Sequence, residues 1–293
     1  MIKFEGIMPA LITPLDADER INVKVLNALL ENLIEKGADG FYIGGATGEG
    51  LKLRTEERMI LAEESIKTIK GRVPSIIQVA SMNFNDAVAL TKHAEKIGAD
   101  AVSATPPLFF QYDEDDVYNY YKALADASSL PVMVYYNPAA GFNMNAQFAA
   151  RMFEIDNVTA IKWTSPNFYE MSKLKDITNG EMNIINGPDE MLLQGLCAGA
   201  DGGIGSNYSF QLENVRAVYD NFKKGDLAAA QEMQIKLNRI ISVLLKYKII
   251  PVAKVILEEM GFAVGNAAFP MKRYTAEEKA KIIAEFKAAG LEF

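Results

Sequence analysis

The chain has 293 residues, 49% of them apolar and 23% charged, which is ordinary globular usage and excludes a disordered, collagen-like or disulfide-rich protein. Its net charge of −8 argues against a nucleic-acid partner. One cysteine, Cys197, excludes an internal disulfide, and one histidine, His93, leaves no cluster for zinc.

The start, Met1 to Gly6, lacks the charged head and apolar core of a secretory leader. The most apolar stretch, Ile240 to Leu257, is interrupted by Lys246, Lys248, Pro251 and Lys254 and is unsuited to spanning a bilayer. A soluble, cytoplasmic protein with no membrane partner is the expectation. Cys197 follows Leu192, Leu193 and Leu196 and is expected on a buried helix face. His93 lies among charged residues and is expected on a solvated one, away from any Ser-His-Asp or Cys-His arrangement.

Short β-type runs alternate with longer helical patterns. Ile7–Thr13 is followed by helical spacing from Ile21 to Lys36, and Gly40–Gly44 by a charged helix from Thr55 to Lys70. Further strand candidates are Ile76–Ala80, Ala101–Ala104, Val132–Tyr136, Thr159–Thr164, Asn183–Asn186 and Gly203–Gly205. Three junctions repeat the pattern Gly-Ala-Asp, at 37–39, 98–100 and 199–201, each closing a helix with glycine and opening a strand. Eight βα units without a long linker predict a (β/α)8 TIM barrel over 1–225. Residues 226–293 read as a C-terminal helical extension of the same domain, with helices over 227–247, 252–260 and 276–289. The near-continuous apolar run Ile240, Ile241, Val243, Leu244 and Leu245 is expected to be covered on most sides, in part by another subunit. No Gly-x-Gly-x-x-Gly follows the first strand, which disfavours a dinucleotide site.

In such a barrel the chemistry sits where strands end. Lys162 lies inside Ala160-Ile161-Lys162-Trp163-Thr164, and alternation puts Lys162 and Thr164 on one face. An amine lodged inside a barrel is shielded from water, as Schiff-base chemistry requires; the plainer alternative is a lysine at the strand end reaching out to water. Gly44-Gly45-Ala46-Thr47-Gly48-Glu49-Gly50 can offer backbone N–H groups to an anion or can be a tight turn alone. No Gly-Lys-Ser/Thr follows it, which disfavours a P-loop. Asp189 and Glu190, after the seventh strand, suit either hydrogen bonding to hydroxyls or capping of the next helix.

Together these stretches resemble the N-acetylneuraminate lyase and dihydrodipicolinate synthase family of class I aldolases over nearly the whole chain. The matching segments are Gly44-Gly45-Ala46-Thr47-Gly48-Glu49, the aromatic strand ending near Tyr135 with Pro138 after it, Ile161-Lys162-Trp163-Thr164-Ser165, and Asn186 to Tyr208. The last of these is most similar to the sialic acid lyase branch.

The resemblance implies a (β/α)8 barrel, a homotetramer and a Schiff base between Lys162 and a 2-keto acid. Tyr135 would transfer protons, with Tyr136 as the alternative. Thr47 and the backbone around Ala46 would hold the substrate carboxylate. Thr164, Gly187, Asp189, Glu190 and Ser206 would bind the polyhydroxylated tail. The implied reaction is reversible cleavage of N-acetylneuraminate to pyruvate and N-acetylmannosamine. Because lysine supplies the covalent catalysis, no metal or organic cofactor is expected.

The alternatives are an aldolase or dehydratase for another 2-keto-3-deoxy sugar acid, a dihydrodipicolinate synthase, and a catalytically weak keto-acid-binding barrel. The synthase branch has an arginine shortly after the proline at 138, and this chain reads Pro138-Ala139-Ala140-Gly141 there. Ala46 stands where the family commonly has a hydroxyl, and Phe109 and Phe110 where it has a tyrosine that reaches into the neighbouring subunit.

Overall fold

The alternation of apolar runs and amphipathic segments builds a closed parallel barrel in the computed structural model, which describes residues 3–293. Met1 and Ile2, the start of the segment read as lacking a leader, lie outside the described residues. The βα units are β1 (Gly6–Pro9) and α1 (Val23–Glu35), β2 (Phe41–Ile43) and α2 (Thr55–Ile69), β3 (Ser75–Gln78) and α3 (Phe84–Lys96), and β4 (Ala101–Ala104) and α4 (Glu114–Ala125). They continue with β5 (Val132–Tyr136) and α5 (Ala146–Met152), β6 (Val158–Trp163) and α6 (Phe168–Ile177), β7 (Asn183–Asn186) and α7 (Leu192–Cys197), and β8 (Gly202–Gly205) and α8 (Tyr208–Lys223). The tail adds α9 (Leu227–Leu244), α10 (Ile249–Glu259) and α11 (Ala276–Ala288).

Strand order runs β1-β8-β7-β6-β5-β4-β3-β2, every pair parallel. The circle closes through the Ala10–Tyr42 bridge, where the Leu11 N–H donates to the Tyr42 carbonyl at 2.9 Å. Strands buried on both faces need apolar residues in both registers. One set, including Phe4, Met8, Tyr42, Ile76, Met133, Tyr135, Ala160 and Ile185, fills the interior. The other, including Ile7, Phe41, Ile161, Trp163 and Ile184, packs under the helices.

The Gly-Ala-Asp repeat is a structural repeat. Gly37, Gly98 and Gly199 have φ of +87°, +80° and +102°, the left-handed turn that glycine adopts without strain. Each aspartate then accepts from the first residues of a neighbouring strand: Asp39 from Ile7 N, Asp100 from Ser75 N and Asp201 from Ile184 N, at 2.8, 2.8 and 3.0 Å. These clamps sit at the N-terminal mouth of the barrel, away from the strand ends that carry function.

Several expectations are corrected. β1 ends at Pro9, short of Thr13, because Ala10 and Leu11 turn to bond the Gly205 and Tyr42 carbonyls on either side. Cys197 is exposed: α7 is only six residues long and buries Leu192, Leu193, Gly195 and Leu196, leaving Cys197 at its open end. His93 is half-buried, its Nε2 lying 2.9 Å from Glu63 on α2. Ile240, Ile241, Val243 and Leu244 are buried within the protomer itself, between α9 and the rest of the chain, so they need no second subunit; Leu245 alone of that run is exposed. No helix among the described residues is long and apolar enough to cross a membrane.

Candidate active site

β6 carries Lys162 into the barrel between Tyr135 of β5 and Ile185 of β7. Its residue is only 6% exposed, and Ala160, two positions earlier on the same face, is small enough to leave the lysine stem room. The Nζ lies 4.1 Å from the centroid of the Tyr135 ring and 5.0 Å from that of Tyr42. The two rings meet edge to face at 5.9 Å. Among the described residues no carboxylate lies within ion-pair distance of this amine; aromatic faces, which attract a cation without fixing it, surround it instead.

The same alternation separates the two adjacent tyrosines. Tyr135 points inward, whereas Tyr136 packs its ring against Trp163 at 4.6 Å in the outer layer. Burial pushes the Tyr135 phenol up, but the Lys162 charge and the neighbouring Asn137 and Thr164 outweigh it, holding the phenol below the usual tyrosine value.

After β2 the glycine loop doubles back tightly. The Gly50 N–H donates to the Gly45 carbonyl at 3.0 Å, and a Cβ on Gly50 would collide with the Gly44 carbonyl. Thr13 Oγ1 donates to the Gly48 carbonyl at 2.6 Å. This fold leaves Ala46 exposed at the tip and brings the buried Thr47 hydroxyl to 2.8 Å from that of Ser206, after β8.

The loops after β6 and β7 meet at Thr164 and Gly187. A Cβ on Gly187 would collide with Thr164 Oγ1 and lie 2.7 Å from Thr164 Cβ, so only glycine fits there. The Thr164 hydroxyl is buried without a hydrogen-bond partner. Asp189, also buried, accepts from the Asn207 backbone N–H at 3.1 Å and from its side-chain amide through Oδ2, leaving Oδ1 unpartnered. Burial pushes its carboxyl up to about 7, against the opposing pull of the Asn207 N–H and the Lys162 charge. Glu190, its neighbour, is exposed; its carbonyl accepts from Asn238 of α9 at 3.0 Å. Neither acid side chain caps α7, which begins at Leu192 without a side-chain cap.

Lys162 and Tyr135 are therefore in direct contact, Thr47 meets Ser206, and Thr164 meets Gly187. Glu190 stands apart on the surface. Phe109 and Phe110 also point away from the protomer, 86% and 64% exposed, with Phe109 at φ +78°. Among the described residues no group of three or more histidine, cysteine, aspartate or glutamate side chains could hold a metal ion.

The dihydrodipicolinate synthetase family model matches residues 3–289. The chain belongs to that family. Within it, the chain is 34% identical over 283 residues to an N-acetylneuraminate lyase of Clostridium perfringens, covering 95% of this chain and 98% of that one. Its fold superposes on the N-acetylneuraminate lyase of Proteus mirabilis with a TM-score of 0.94 at 30% identity, covering 99% and 100% of the two chains. A dihydrodipicolinate synthase of Bacillus anthracis gives 0.93 at 27% identity, covering 98% and 99%.

Sequence reasoning missed three residues of this family member's site. Tyr42 supplies the second ring at Lys162, and period-two alternation from Phe41 was the available signal. Asn207 holds Asp189, and Asn137 stands beside the Tyr135 phenol; neither has a local pattern that announces it.

Proposed function

We propose that this protein is a Schiff-base aldolase that cleaves N-acetylneuraminate reversibly to pyruvate and N-acetylmannosamine. The observation that carries the reading is the Lys162 amine enclosed in the barrel against the Tyr135 ring at 4.1 Å. The relatives named as N-acetylneuraminate lyases in Clostridium perfringens and Proteus mirabilis support the choice of substrate.

The Lys162 amine adds to the C2 ketone of the open-chain sugar acid, and the carbinolamine hydroxyl leaves as water with the Tyr135 proton, giving an iminium beside the phenolate. Tyr135, whose phenol is held below its usual value, accepts the C4 hydroxyl proton. The C3–C4 electron pair moves into the iminium, releasing N-acetylmannosamine as the aldehyde and leaving an enamine. Protonation at C3 and addition of one water return pyruvate and the free amine. The amides around Ala46 and Thr47 hold the substrate carboxylate, while Thr164, Gly187, Asp189 and Ser206 face the hydroxylated tail. Glu190 joins them only if its exposed side chain swings inward.

In this reading residues 226–293 belong to the same domain as the barrel: α9 braces the Asp189 turn, its Gln234 accepting from Leu193 N at 3.0 Å. The protein works in the cytoplasm as a homotetramer. The exposed Met82, Phe109 and Phe110, on the loops after β3 and β4, and Phe84, at the start of α3, support an association surface at that barrel mouth. Incubation with pyruvate and borohydride should add a three-carbon increment at Lys162, and N-acetylneuraminate should release pyruvate faster than other 2-keto-3-deoxy acids. Labelling at another lysine, or turnover surviving Lys162→Ala, overturns the reading.

A second reading, a catalytically weak keto-acid-binding barrel, draws on Ala46 and on the phenylalanines at 109 and 110, which carry no hydroxyl to pass protons to Tyr135. Adduct formation with pyruvate but no pyruvate release from any sugar acid would favour it. If the missing hydroxyl limits turnover, Ala46→Ser raises kcat more than it changes KM.

A further inference from the structure

The glycine loop is held from behind by charges that the reaction leaves untouched. Glu49 takes a left-handed backbone, φ +57°, and turns its side chain away from the barrel mouth into full burial. There Oε1 lies 3.0 Å from the Nζ of Lys254, which projects from α10 and is itself 2% exposed. Oε2 accepts from the Ala268 N–H at 2.8 Å, and the Lys254 ammonium donates to the Asn266 carbonyl at 3.0 Å. Lys52, three residues beyond Glu49, lies 3.4 Å from Oε2 and donates to the Ala268 carbonyl.

Stability alone does not account for such an arrangement. Two charges taken out of water are repaid only in part by their attraction, and apolar residues of the same volume commonly serve as well. What the pair supplies is direction. The Glu49 N–H donates to the Ala46 carbonyl at 3.1 Å, and the Lys52 N–H donates to the Glu49 carbonyl at 2.8 Å. Fixing the Glu49 side chain therefore fixes the Ala46–Thr47 peptide plane, whose carbonyl accepts from Glu49, and with it the direction of the Thr47 N–H.

We infer that Glu49 and Lys254 are positioning residues, which aim the backbone amides around Ala46 and Thr47 at the carboxylate of the 2-keto acid by tying the loop to α10 and to residues 266–268. This inference rests on the aldolase reading above and adds to it a specific source of carboxylate affinity.

The test compares wild type with Lys254→Met, Glu49→Gln and the double variant Glu49→Gln/Lys254→Met, titrating pyruvate against borohydride trapping and measuring KM and kcat. Each single change leaves a buried charge or donor without its partner, so those variants can lose stability. The double variant buries no charge, and its glutamine can still accept from Ala268. It should fold with a Tm near wild type. Its half-saturating pyruvate and its KM should rise about tenfold, with kcat changing much less, because the lost interaction is made equally in ground and transition states. A folded double variant that traps pyruvate at the wild-type concentration overturns the inference. So does a fall in kcat at unchanged KM. Wild-type protein that forms no adduct at Lys162 overturns the aldolase reading itself and the inference with it.

Discussion

Lys162 and Tyr135 face each other across neighbouring strands at the same register, Nζ to ring centroid, 4.1 Å apart. The contact makes each group part of the other's environment: the cation favours the phenolate, and the ring shields the amine. Tyr135→Phe keeps the ring and removes only the proton-transfer group, so kcat should fall by about 10²–10⁴-fold with little change in Tm. Tyr136→Phe, in the outer layer on Trp163, should leave kcat close to wild type. An inactive Tyr136→Phe beside an active Tyr135→Phe would reverse the assignment.

Asp189 should make sugar-acid binding depend on pH. With its carboxyl pushed up to about 7, it is protonated below that pH and ionised above it. The ionised Oδ1 is the better acceptor for substrate hydroxyls, so KM for N-acetylneuraminate should fall as pH rises through about 7. Asp189→Asn should flatten that profile and leave the pyruvate titration unmoved. Stability runs the other way. A carboxyl with a raised folded value contributes most below the ordinary carboxylate range and loses that contribution as pH climbs towards about 7. The Tm of Asp189→Asn should therefore fall less than that of wild type between about pH 5 and about pH 8.

Gly187→Ala should lower kcat/KM for the sugar acid. The added methyl meets Thr164, whose branched side chain has few rotamers to retreat into. Overpacking of this kind costs on the order of 1–3 kcal/mol, visible as a lower midpoint in denaturant. An unchanged midpoint with unchanged kinetics would show that the two loops separate freely.

Asp100→Ala should separate stability from activity. It removes the acceptor for Ser75 N and Oγ, at 2.8 and 2.9 Å, and leaves partly buried donors unmet. The expected cost is about 1–3 kcal/mol in urea unfolding. The folded fraction should keep wild-type kcat and KM, since the clamp lies at the mouth of the barrel opposite the lysine.

The eight strands could be read because a parallel barrel buries both faces of each strand, giving runs such as Val132–Tyr136 that stand out from their amphipathic neighbours. Lys162 stood out for the same reason, as a charge inside such a run. The unequal fates of Asp189 and Glu190 could not be read, because the turn that buries one and exposes the other is set by Asn207 from the next loop, 18 residues on. The support beneath the glycine loop was hidden by distance: Glu49 and Ala268 are 219 residues apart in sequence. In the run Ile240–Leu245 the pattern correctly called for cover on most sides, but composition cannot say whether that cover comes from the same chain or another.

The hydroxyls of Thr47 and Ser206 touch across the barrel seam, one from the loop after β2 and one from the loop after β8, with β1 between. The first belongs to the carboxylate end of the proposed site and the second to the sugar end. A lineage that exchanges one sugar acid for another by changing Ser206 thereby withdraws a partner from Thr47. The two positions are thus epistatic: replacements at one should be tolerated or rejected according to the residue at the other, and a swap of substrate is expected to be inherited as a pair.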